Sequence, residues 1–202
     1  MNLIFENIIF LSSEIILVLT AVVLLMVGAF KKKNNAKIVV YFSFIVLILL
    51  SIMEMLVPWS SVTIFNNSII QNGYTRFVKI MIYFSSSFAI ILSSRWLMKY
   101  DDKAFEYPIL ILFSVLGMSL MVSANDLITL YLAIELQSLP LYVLASFKRN
   151  NTESSEAGVK YFVLGALSSS LFLFGASIVY GFSSSVEFGE IYQSFQASEI
   201  NT

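Results

Sequence analysis

Apolar residues in this chain come in long runs, separated by short polar segments, and the two classes rarely alternate. A hydrocarbon layer ~30 Å thick is crossed by ~20 residues of helix. Six runs reach that range: Ile8–Phe30, Ile38–Trp59, Phe77–Met98, Tyr107–Ser123, Leu127–Phe147 and Val159–Phe182. A spanning strand would need alternating patterning and a closed barrel, because no water inside the bilayer satisfies an open sheet edge. The unbroken runs therefore predict helices. The pattern implies an all-α, polytopic membrane helix bundle over residues 1–182, with a polar acidic tail or loop at 183–202 that carries Glu187, Glu190 and Glu199. Two connections read as turns. One is the tight Ala124-Asn125-Asp126, and the other is the polar stretch Ser60–Arg76 with its Asn66-Asn67 and Asn72-Gly73 pairs.

Composition sharpens this picture. Apolar residues make up 58% of the 202 positions and charged residues 12%, against roughly 25% charged in a soluble domain. The chain has no Cys and no His, which removes disulfides, thiolate or imidazole metal sites, Cys nucleophiles and His acid–base catalysis. A net charge of -1 without a basic stripe gives nothing for nucleic acid to bind. The lipid bilayer is the expected surrounding.

Charge also predicts orientation. With loops alternating in side, Lys31, Lys32, Lys33, Lys37, Arg95, Lys99, Lys103, Lys148, Arg149 and Lys160 share one side, and Arg76 and Lys79 lie on the other. Basic loops favour the cytoplasmic or matrix face, so the N-terminus is expected on the outer side. The first basic residue, Lys31, follows the first apolar run, whereas a cleavable signal carries its positive charge before it. That run is expected to remain as an anchor.

A carboxylate at mid-membrane costs about 2.5–3.5 kcal/mol on insertion scales and needs a compensating role. Glu135 sits near the middle of the fifth span. At helical spacing it shares a face with Tyr131, Ser138, Tyr142 and Ser146, a stripe of one carboxyl and four hydroxyls. Pro140 removes an amide and frees the carbonyl of Leu136, favouring a kink beside that stripe. Two readings stand: a proton or cation relay point, or a structural carboxyl that is protonated or paired across helices. Lys160 near an end of the sixth span reads on its own as a snorkelling side chain paired with Glu156 one turn earlier. Gly165 and Ser169 at small-xxx-small spacing predict close helix packing. Glu14, Glu54 and Lys79 read as interfacial or partner-facing, Asp126 as a helix N-cap, and Trp59 and Trp96 as interfacial anchors.

The segments ELQSLPLYVLA from Glu135 and EAGVKYFVLGALSS from Glu156 resemble subunit N of NADH–quinone oxidoreductase, respiratory complex I, the family that includes mitochondrial NADH dehydrogenase subunit 2. PILILFSVLGMSLMVSANDLITLYLAIE from Pro108 and EIILVLTAVVLLMVGAF from Glu14 extend the resemblance along most of the chain. It implies an antiporter-like fold, ending here within the first of two inverted repeats, and a place among the other membrane-arm subunits of a proton-translocating complex. It further implies that Glu135 and Lys160 form the charge pair of a proton half-channel, supported by Tyr131, Ser138, Pro140 and Tyr142. No catalytic residue or cofactor site is implied in this chain; NADH, FMN, iron–sulfur clusters and quinone belong to other subunits. The energy-coupling membrane implied is a bacterial inner membrane or its mitochondrial equivalent. The essential lysines of the family's seventh, eighth and twelfth helices have no counterpart in this sequence. A cation/proton antiporter subunit and a truncated, non-pumping scaffold are therefore the alternative readings.

Overall fold

The computed structural model describes residues 10–30, 35–57, 61–100, 105–148 and 150–200. Of the positions singled out above, Ile8, Lys31, Lys32, Lys33, Trp59, Ser60, Lys103 and Arg149, and the side chains of Arg95, Trp96, Met98, Lys99 and Glu199, lie outside the described residues. The elements are α1 (Ser12–Phe30), α2 (Asn35–Leu56), β1 (Val62–Ile64), β2 (Ile69–Gln71), α3 (Gly73–Tyr100), α4 (Glu106–Ser123), α5 (Leu127–Ala145), α6 (Thr152–Ser183) and α7 (Phe188–Ile200). Helices α1 to α6 are long and apolar enough to cross a membrane, and the protein is a multi-pass membrane protein.

Burial divides the bundle into a packed group and an added layer. Leu17 and Ala21 of α1, Val39 and Leu47 of α2, Tyr83 and Ile90 of α3, and Leu112 and Val115 of α4 form one continuous core. Their opposite faces carry Leu19, Val23, Phe42, Leu49 and Phe84, all about half exposed, which suits lipid or the apolar face of another membrane helix. Helix α5 lies on α4 so closely that a Cβ on Gly117 would strike the backbone of Gln137. Helix α6 packs on α5, and Gly158 is its one buried residue.

Two helix starts differ from the hydrophobic boundaries because polar caps extend them. Helix α3 begins at Gly73, where Asn72 Oδ1 accepts from the Thr75 amide (2.9 Å) and the Thr75 hydroxyl accepts from the Asn72 amide (2.8 Å). The expected turn at Asn72-Gly73 is thus a helix cap. Helix α6 starts at Thr152, seven residues before the apolar run, capped by Asn151 accepting from the Ser154 amide at 2.9 Å. Asp126 caps α5 as expected, accepting from the Thr129 amide at 2.7 Å.

The Ser60–Arg76 connection holds an unforeseen antiparallel hairpin, Val62 opposite Gln71 and Ile64 opposite Ile69. Its turn places Asn66 and Asn67 at φ 52° and 68°, left-handed geometry that Asn tolerates well. Ile69 bridges to Ala124, and the Asn125 amide donates to Ser68 O at 2.9 Å. The Leu127 amide donates to Val186 O at 3.0 Å, tying in the α6–α7 link. One end of the bundle is therefore stitched together: the hairpin, the α4–α5 turn and the start of α7. The segment beyond residue 183, expected as tail or loop, contains the helix α7.

Candidate functional site

The polar stripe on α5 is the packing seam with α6. Tyr131 stacks on Phe172, with ring centroids 5.9 Å apart. Ser169 donates to Glu135 Oε1. Tyr142 meets Tyr161 and Phe162 edge-on, and its phenol lies where a Cβ on Gly165 would be. Ser146 lies against Gly158 in the same way. Each step forward along α5 is matched by a step back along α6, as antiparallel helices require. Gly158 and Gly165 let the two backbones approach, and Ser169 becomes the partner of the carboxyl.

Glu135 is half buried at mid-helix, and that hydrogen bond crosses to α6. Ser138 turns back to its own helix, donating to Ile134 O at 2.7 Å, and α5 runs without a break through buried Pro140. Lys160 does not join Glu135 here. Its Nζ is 2.5 Å from Glu156 Oε1 on the same helix, and the side chain is 69% exposed. Ser169, which marks the level of Glu135 on α6, is nine residues beyond Lys160, about 13 Å along a helix. The spacing of Glu156 and Lys160 already predicted this one-turn pair, while the half-channel pairing rested on resemblance.

The strongest concentration of charge lies elsewhere. Glu14, Glu54, Arg76 and Lys79, read from sequence as interfacial or loop residues, are all buried inside the α1–α4 group. Lys79 Nζ is 2.6 Å from Glu14 Oε1, and Arg76 Nη1 is 3.6 Å from Glu54 Oε2. Ser119 of α4 donates to Glu14 Oε1 at 2.7 Å and meets the Tyr83 hydroxyl at 2.8 Å. Ser13 Oγ lies 2.8 Å from Glu14 Oε2 and 2.5 Å from Glu54 Oε1. Glu14 is the third residue of α1 and Lys79 the seventh of α3, so the cluster sits one to two turns inside the hairpin end. The available sequence signal was complementarity: two acids on the first two spans and two bases on the third, all at the same end.

A protein-family model described as "NADH:quinone oxidoreductase/Mrp antiporter, TM" matches residues 124–202. "NADH-quinone oxidoreductase subunit N" of Parvibaculum lavamentivorans is 48% identical over 144 residues, covering 71% of this chain and 30% of that protein. The subunit N of Methylobacterium nodulans is 52% identical over 129 residues, covering 64% of this chain and 27% of the relative. The chain thus spans about 30% of the length of the relatives it matches. A chain of respiratory complex I from Thermus thermophilus superposes with a TM-score of 0.74 at 26% identity, over 88% of this chain and 38% of that one. An archaeal membrane-bound sulfane sulfur reductase chain shares the fold, with a TM-score of 0.70 at 19% identity over 89% of this chain and 38% of that one.

Proposed function

The chain is homologous to NADH-quinone oxidoreductase subunit N, and on that premise we propose that it acts as part of a proton-translocating membrane-arm subunit of that complex. The observation that carries this is Glu135: a half-buried carboxyl at the middle of an apolar, membrane-length helix, on the α5–α6 seam and inside the segment that the family model matches. A carboxyl can hold a proton, and its partner Ser169 can rotate between donor to Glu135 and its own helix backbone. Proton uptake removes the charge that holds Ser169, so the seam has two hydrogen-bonding states. Lys160, nine residues from Ser169 toward the start of α6, acts with it in this reading once it leaves its surface partner Glu156. Tyr131 and Tyr142 fix the seam on either side of Glu135.

In this reading the chain's partners are the other membrane-arm subunits, with NADH, flavin, iron–sulfur clusters and quinone bound elsewhere in the complex. The membrane is a bacterial inner membrane, supported by bacterial relatives. The hairpin end and the N-terminus face outward. Burial of Arg76 and Lys79 in ion pairs supports this, since it removes both basic residues from the outer loops.

In the assembled complex, Glu135→Gln is expected to lower protons moved per NADH oxidised severalfold, with NADH oxidation and complex content near normal. Membrane vesicles that report a pH gradient alongside NADH oxidation measure both. Unchanged pumping at normal complex content would sink the proposal and leave the scaffold reading. Lys160→Met is expected to give a milder loss, and full activity would return it to a surface pair. The family model also covers Mrp antiporter subunits, which favours a cation/proton antiporter as the second reading. Pumping that requires Na⁺ but not NADH would select it.

A further inference from the structure

We propose that the buried constellation Glu14–Ser13–Glu54 is a second proton-holding site in this chain, separate from Glu135 and flanked by Lys79 and Arg76. Hydrogen counting carries the argument. Ser119 takes a hydrogen from the Tyr83 phenol (2.8 Å) and gives its own to Glu14 Oε1 (2.7 Å), so that branch is complete. Ser13 has a single hydroxyl hydrogen, yet its oxygen lies within hydrogen-bond distance of two carboxyl oxygens, 2.8 Å from Glu14 and 2.5 Å from Glu54. One hydrogen serves one of them. The other contact is a bond only when that carboxyl brings a hydrogen of its own.

Glu14 already faces Lys79 at 2.6 Å and accepts from Ser119, whereas among the described residues the cation nearest Glu54 is Arg76, at the longer 3.6 Å. The added proton therefore belongs on Glu54, as Glu54–H to Ser13 and Ser13–H to Glu14. Uptake forms one O–H bond at Glu54 and release breaks it, with water at the hairpin end as source and sink and no electron transfer. With the proton off, two carboxylates balance Lys79 and Arg76; with it on, the group carries one net positive charge. Among the described residues, Tyr83 is the remaining titratable group facing it, and α4 contributes Ser119. On the hairpin side, three buried polar atoms among the described residues have hydrogen-bonding capacity that no protein group uses: Gln71 Oε1, Arg76 Nε and Lys79 Nζ beyond its ion pair. Buried polar groups in that condition are ordinarily met by water, the carrier that a proton needs.

The role of this proton rests on the proton-translocation reading, but its presence is measured without it. Hydrogen–deuterium infrared difference spectra of the full chain in lipid nanodiscs are expected to show a protonated carboxyl band at neutral pH. The band should be absent in Glu54→Gln, shifted in Ser13→Ala and kept in Glu135→Gln. In assembled complex, Glu54→Gln and Ser13→Ala are expected to lower protons per NADH severalfold with NADH oxidation retained. A spectrum in which Glu54→Gln removes no band overturns the inference. So does normal pumping in both variants when Glu135→Gln pumps poorly, a result that leaves the reading of Glu135 intact. Normal pumping in Glu135→Gln with the Glu54 band present removes that reading instead and keeps the proton-holding site. Should Glu54→Gln fail to assemble, Ser13→Ala decides, because it changes no charge: an unshifted band with normal pumping overturns the inference.

Discussion

Lys160 and Lys79 are the same residue type on two different apolar spans, and their surroundings give them opposite weight. Lys160 holds Glu156 at the surface, 69% exposed, and a pair of that kind contributes about 0–1 kcal/mol. Lys79 is fully buried against Glu14, where removing one partner strands a charge and costs about 3–5 kcal/mol. Lys79→Met is therefore expected to lower the unfolding temperature of the detergent-solubilised protein sharply, and Lys160→Met hardly at all. Adding Glu14→Gln to Lys79→Met should recover part of the loss, as removing both charges leaves none unpaired; a double variant worse than the sum would refute the pairing. The Glu156–Lys160 pair was legible because helical spacing makes it local. The Glu14–Lys79 pair joins two helices distant in sequence, and no local rule brings those residues together.

At the scale of elements, local chemistry explains most boundaries. Burial works against the charge on Asp126, but hydrogen bonds from the Thr129 amide and hydroxyl outweigh it and hold the carboxyl below its ordinary range. A depressed carboxylate stabilises the fold at pH values above its unfolded pKa, and that contribution is lost as pH falls through the folded pKa. Asp126→Ala is expected to cost about 1 kcal/mol at neutral pH, and Asp126→Asn, which still caps, markedly less. Thermal unfolding checks both, and their difference from the parent should shrink in acid. The α5–α6 seam depends on small residues. Gly165→Leu would place a branched side chain where the Tyr142 phenol lies, at a cost of about 1–3 kcal/mol. It should also part Ser169 from Glu135 and reproduce the Glu135→Gln pumping defect; normal pumping would show that the seam plays no part. Small-xxx-small spacing announced close packing in the sequence, but not the partner. Only the structure identifies that partner as the hydroxyl stripe of α5.

For the whole molecule, the α1–α4 group holds the buried core, α5 is laid on α4, and α6 touches the rest chiefly through α5. The hairpin closes the end above the charge cluster. Because the chain has no cysteine, Asn67→Cys in the hairpin turn gives a clean topology probe. A membrane-impermeant thiol reagent is expected to label it from the outer face of intact cells, and labelling only after the membrane is breached would reverse the orientation. Sequence by itself determined the number of spans, their helical character, the Asp126 cap, the Glu156–Lys160 pair and the family. Each of these depends on run length, local spacing or residue identity, which the order of residues states directly. Tertiary structure alone decided that the α5 stripe is a seam with α6, that the Asn-rich connection is a hairpin, and that Glu14, Glu54, Arg76 and Lys79 meet inside the bundle. In lipid the hydrophobic pattern tells which segments leave water but not which faces meet. Packing complementarity and the pairing of charges select those faces, and both act between segments far apart in the chain.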